Sequence, residues 1–128
     1  MAVSKIHGHQ LDSGVASADL SDKLFYFCVR GANGAVNLPS AAGAAVSGII
    51  TEAAVSGRPV TFVTIASGAI ANVVAGGTVA VGDKIATDAN GKAVKAVATN
   101  TVVGVARKGG AAGAVLEVYL DNAGILAA

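Results

Sequence analysis

Chemistry could begin at His7 and His9, which on an extended segment would project both imidazoles to the same side, where they could share a metal ion. Asp12 is the nearest possible third ligand. A polar segment with two histidines and one carboxylate is more often simply solvated, and no resident metal or other cofactor is expected. Cys28 is the only cysteine, so an intrachain disulfide and a cysteine-based structural zinc site are excluded by arithmetic. As a nucleophile it would need a positioned base and a lowered pKa. Its neighbours Phe27 and Val29 predict instead a buried, inert thiol in a reducing compartment.

The acidic residues carry no stronger signal. Asp12, Asp19 and Asp22 lack the alternating oxygen ligands, central glycine and terminal glutamate of a calcium-binding loop. Asp83 and Asp88 flank a short strand and could be imagined as a carboxylate pair. Aspartates beside turns ordinarily cap them, which is the role expected here. The glycine clusters at 31–34 and 109–113 have neither the lysine-serine pair of a phosphate-binding loop nor a strand-to-helix setting, so they read as loops. Arg107 and Lys108, followed by Gly109 and Gly110, put two positive charges at a hairpin end. They could contact an acidic patch on a partner or remain solvated.

The elements that would position these residues are mostly strands. Residues 1–23 mix serine, glycine, histidine and aspartate with single apolar residues at no sustained period, which predicts an N-terminal arm or irregular lead-in. From Leu24 the run LFYFCVR reads as the first strong strand and opens a β-rich body, 24–120, followed by a short apolar tail at 121–128. Further strands are expected at Ser47 to Glu52, Pro59 to Ile65, Ala69 to Val74, Thr78 to Val81, Lys84 to Thr87, Lys92 to Val97, Val102 to Arg107 and Val115 to Leu120. The alanines between Ala41 and Val46 predict a short helical turn. Asp88-Ala89-Asn90-Gly91 is the clearest hairpin signal. In VLEVYL, Leu116, Val118 and Leu120 alternate with Val115, Glu117 and Tyr119, so one wholly apolar face should point inward. Short, turn-bounded strands at this spacing predict a mainly β protein, a compact β-sandwich or β-barrel.

Composition bounds the function. The 128 residues suffice for one domain with a real core. Hydrophobic residues make up 53%, yet aromatics are only 4%, so the apolar content is mostly alanine and valine, each burying little area at about 25 cal/mol per Å². The 13% charged fraction is about half the usual value. Both observations predict that part of the surface is covered by other protein. A net charge of +1 with basic residues scattered mostly singly gives no stripe to neutralise phosphates, so nucleic acid is not an expected partner. The uncharged run Pro59 to Gly82 is long enough to span a bilayer but is broken every few residues by Gly, Ser, Thr and Asn, so no membrane helix is expected. MAVSKIHGHQLDSG lacks the apolar stretch of a secretory signal, which predicts synthesis in the cytoplasm.

Taken together, several pieces resemble one family. They are Asp19-Leu20-Ser21, Gly48-Ile49-Ile50, GRPVTF from Gly57, VVAGG from Val73, VGDKI from Val81, DANGKAV from Asp88, VGVA from Val103 and AGAVLEV from Ala112. In this order and spacing they resemble the small capsid cement, or head decoration, proteins of tailed bacteriophages. The resemblance implies a β-rich, non-enzymatic protein on the outside of a virion capsid. There it would reinforce junctions between major capsid protein subunits, as a trimer or dimer of itself on local symmetry axes, after synthesis in the host cytoplasm. It further implies that Ser4, Lys5, Ile6, His7, His9, Gln10 and Leu11 fold against the shell or a neighbouring subunit, with Arg107 and Lys108 as additional contacts. An extended chain covers about 3.3 Å per residue, so such an arm reaches far. The other reading of the residues is a carbohydrate-binding or adhesin-like module. It would require exposed aromatics, whereas Phe25, Tyr26, Phe27, Phe62 and Tyr119 fall mostly within apolar strands.

Overall fold

Along Pro59–Thr64 (β5), Val60 and Phe62 alternate with Thr61 and Val63, so one strand offers two different faces, and the protein uses both. The computed structural model describes residues 11–126 and, at 122 and 123, the backbone alone. β5 is one wall of a closed barrel with strand order β1-β3-β2-β4-β5. The other walls are Leu11–Ala16 (β1), Phe27–Arg30 (β2), Ala35–Asn37 (β3) and Gly48–Glu52 (β4). β1 and β3 pair in parallel, with Val15 opposite Ala35; the remaining ladders of the barrel are antiparallel. Its interior is filled by Ala16, Leu20, Cys28, Val36, Ile50, Val60 and Phe62.

The second layer is an open five-stranded sheet of order β6-β10-β9-β7-β8. Its strands are Ile70–Val74 (β6), Lys84–Thr87 (β7), Ala93–Lys95 (β8), Thr101–Lys108 (β9) and Val115–Ile125 (β10). On the barrel's outer wall, Phe27 lies opposite Ile49 and Ile49 opposite Val63. This row packs with Val73, Ile85, Ala106, Leu116, Val118 and Leu120 of the sheet's inner face. Fully burying a side chain such as Val, Leu, Ile or Phe contributes about 1.5–3 kcal/mol, so this contact joins the layers firmly. Backbone bonds add to it: Gly43 donates to the Thr87 carbonyl (2.8 Å) and its own carbonyl accepts from Thr101 (2.9 Å).

The expected mainly β architecture is therefore met by a barrel with a sheet packed on it. The hairpin expected at Asp88 to Gly91 joins β7 to β8, with Gly91 at φ +85°. Several local expectations are corrected. Leu11–Ala16, placed by sequence in the irregular lead-in, is a barrel strand, because five of its residues pair in register with β5. Strand pairing begins at Phe27 rather than Leu24, since Phe25 adopts φ +66° and breaks the extended run. Ala41 to Val46 makes one hydrogen-bonded turn, with the Ala44 N–H donating to the Ala41 carbonyl (3.3 Å), and no helix follows because Gly43 adopts φ +75° and bonds across to the sheet. Thr78 to Val81 makes only the isolated bridge between Val79 and Gly110 before turning at Gly82. The tail continues β10 as far as Ile125, where it pairs with Thr101.

Candidate interaction surface

The alternation that buries Leu116, Val118 and Leu120 turns Val115, Glu117 and Tyr119 outward on β10. Val115 lies opposite Val74, Glu117 opposite Asn72 and Tyr119 opposite Ile70 on β6. Across β10's other edge Tyr119 lies opposite Val105, which in turn lies opposite Lys84 of β7. Directly opposed residues share a face. Ile70, Tyr119, Val105 and Lys84 therefore form one row across four strands. Ile70 (50% exposed), Tyr119 (48%) and Val115 (43%) give this outer face an apolar centre. Tyr119 is the one exposed aromatic side chain among the described residues.

A bulge sets the polar part of the face. Glu117 opposes Lys108 while Val118 opposes Ala106, so Arg107 is the extra residue on β9. The irregularity leaves Arg107 donating from Nη1 to Glu117 Oε1 at 3.0 Å, with its guanidinium 6.0 Å from the centre of the Tyr119 ring. An exposed ion pair of this kind contributes little to stability, roughly 0–1 kcal/mol. Its effect is to hold the arginine beside the ring, where a weak cation–π attraction adds to it. Lys84 and Lys108 are exposed on the same sheet and form no ion pair among the described residues.

The other residues singled out by sequence are placed as follows. Cys28 lies inside the barrel, and burial pushes its thiol from 9.0 up to about 12. It is the inert core thiol that its neighbours predicted. Asp83 Oδ2 accepts from the Ala80 backbone (3.0 Å), and Asp88 Oδ1 accepts from the backbones of Asn90 (2.9 Å) and Lys92 (2.8 Å). Both are turn-holding carboxylates, as expected. Asp12 accepts from the Ser13 backbone and lies 4.0 Å from Arg30, whose Nε also donates to the Ser13 carbonyl. Asp19 is held below the ordinary carboxylate range by hydrogen bonding to Ser21. Leu11 begins β1 and is 57% exposed. Ser4, Lys5, Ile6, His7, His9 and Gln10 lie outside the described residues. Arg107 and Lys108 end β9 and border the outer face, so the structure brings these two into one surface with Tyr119. Sequence reasoning missed Ile70 as part of that surface; the signal was its alternation with the buried Val73 strand face, which acquires meaning only once β6 is paired with β10.

Among the described residues no helix is long and apolar enough to cross a membrane, and no three His, Cys, Asp or Glu side chains converge as metal ligands. No family model matches the chain. No curated protein matches it either. Among solved structures, the chain is similar to the head fiber gp8.5 N base of bacteriophage phi29. The TM-score is 0.73 at 17% sequence identity, over 91% of this chain and 97% of that one. At this identity the likeness is one of fold. The fold is thus shared with a phage head fiber base, a coarser finding than the capsid-cement family expected from the sequence.

Proposed function

We propose that this protein is a non-enzymatic structural component of a phage virion that binds the outside of the capsid and stabilises contacts between major capsid protein subunits. The observation that carries this reading is the fold likeness to a phage head fiber base over nine-tenths of the chain. Composition supports it: a core of small side chains and a sparsely charged surface suit a module that gains stability from burial in a larger assembly. The placement of the reactive residue types agrees, since Cys28 is sealed in the barrel and Asp83 and Asp88 are spent on turns. In this reading Ser4 to Leu11 contact the shell or a neighbouring copy, and Leu11 opens a strand anchored in the barrel. In this reading the protein's partners are the major capsid protein and further copies of itself on local symmetry axes, and it acts with no cofactor, nucleic acid or membrane.

The test is electron microscopy of the purified protein mixed with undecorated capsids. Added density on the outer surface at defined local axes is expected; shells indistinguishable from undecorated ones at saturating protein would overturn the reading. One observation favours a carbohydrate-binding module instead, the half-exposed Tyr119 ring with Arg107 beside it. Quenching of tyrosine fluorescence by soluble oligosaccharides, without any binding to shells, would favour that second reading.

A further inference from the structure

We propose that the outer face of the five-stranded sheet is the surface that docks on the shell, and that it receives a protein surface with an apolar centre and a rim of carboxylates. The inference rests on the capsid-binding reading above and assigns it a face. Ile70, Tyr119 and Val115 lie on adjacent, paired strands and are each roughly half exposed. An anchor of tyrosine and arginine within an apolar patch is the composition that dominates binding energy in protein interfaces.

Charge selects the occupant. Arg107 is already paired with Glu117, while Lys84 and Lys108 have no carboxylate partner among the described residues. Asp121, exposed two residues beyond Tyr119 on β10 and in no ion pair among the described residues, offsets one of these charges, so the face keeps a net positive excess around its apolar centre, and complementarity calls for acidic groups opposite. A second copy meeting this face through the same face would set one net positive surface against another, which disfavours a two-fold contact here. The chain's own residues 1–10 contain no Asp or Glu and so offer nothing to the lysines. Nucleic acid would pair with the lysines but leave Ile70 and Val115 without apolar partners, and two lysines neutralise few phosphates. An acidic-rimmed protein surface satisfies both the apolar centre and the charges.

Co-sedimentation of the full chain with undecorated capsids tests this. Tyr119→Ala should weaken shell binding by about 30-fold. The double variant Lys84→Glu/Lys108→Glu should weaken it by about tenfold or more at low salt, and should bind with a shallower dependence on ionic strength than the wild type. Arg58→Glu, exposed in a barrel loop, should bind as the wild type does. Circular dichroism and thermal melting establish that each variant is folded; if Tyr119→Ala were not, the double lysine variant alone would decide. Wild-type sedimentation by both the Tyr119 and the lysine variants overturns the assigned face and leaves the capsid-binding reading standing. Failure of the wild-type protein to sediment with shells overturns both. Unchanged shell binding with a change in oligomeric mass for these variants, measured by analytical ultracentrifugation, makes the face a contact between copies and overturns the assignment.

Discussion

The barrel and the open sheet are made from the same small apolar residues, yet they expose themselves in opposite ways. The barrel closes on itself, so its five strands leave no free edge, and its interior is sealed around Cys28, Val60 and Phe62. Part of its outer wall is covered by the sheet. The sheet has two edges, β6 and β8, and only its inner face is buried. Its edges are managed locally: β8 has three residues, and the Val74 amide of β6 donates to the Phe25 carbonyl of the barrel. The outer face is left in water with Ile70, Val115 and Tyr119 upon it. Closure lets a core of modest side chains hold together, whereas the open layer can carry a contact surface because the barrel behind it supplies the stability.

The comparison breaks most readily at Phe62, the largest side chain in the barrel interior and fully buried there. Phe62→Ala should cost about 3–5 kcal/mol, through lost burial and the cavity left behind. The measurement is the midpoint of urea unfolding at constant slope. A loss below about 1 kcal/mol would mean that the barrel is not the stabilising layer.

Cys28 sharpens the same point through pH. Its thiol is raised to about 12 in the folded protein from an ordinary value of 9.0, so above pH 9 the unfolded chain releases a proton that the folded one retains. This group is neutral in its effect at pH 7. Stability should fall as pH climbs from about 9 towards 12, by up to about 1.4 kcal/mol per pH unit. In Cys28→Ala that component of the alkaline slope should vanish, which equilibrium unfolding at pH 7 and at pH 10 measures directly. An identical alkaline slope in the two proteins would show that the barrel interior admits water.

Legibility in the sequence follows the same division. The strands whose pattern is purely local were readable: Leu116, Val118 and Leu120 alternate cleanly, and Asp88 to Gly91 marks its hairpin. β1 was not, because LDSGVA contains Asp12, Ser13 and Gly14, and what makes it a strand is distant. Arg30 engages Asp12 and the Ser13 carbonyl, and Gly14 sits so close to Gly34 and Val36 that a Cβ there would collide with both. Parallel pairing with β3 leaves no short-range trace. The candidate surface was half readable. Arg107 and Lys108 stood out as charges and Tyr119 as an outward residue, but their meeting depends on the register of β10 with β6 and β9 and on a bulge that inserts Arg107. Those are set by tertiary pairing, which no single stretch of sequence encodes.

The smallest expected effect is the most discriminating. Tyr119 is half exposed and its ring meets Arg107 at 6.0 Å, so Tyr119→Ala removes a weak cation–π contact and some partly buried ring surface. An exposed contact of this type contributes about 0.5–1 kcal/mol, and substitutions away from buried features usually stay near that range. The variant should therefore unfold within about 1 kcal/mol of the wild type, while losing its grip on shells. Stability and binding would then separate at a single residue, as they must if the barrel maintains the fold and the outer face of the sheet makes the contact. A stability loss of several kcal/mol at Tyr119 would instead make the outer face a structural layer in its own right, and the contrast between the two regions would collapse.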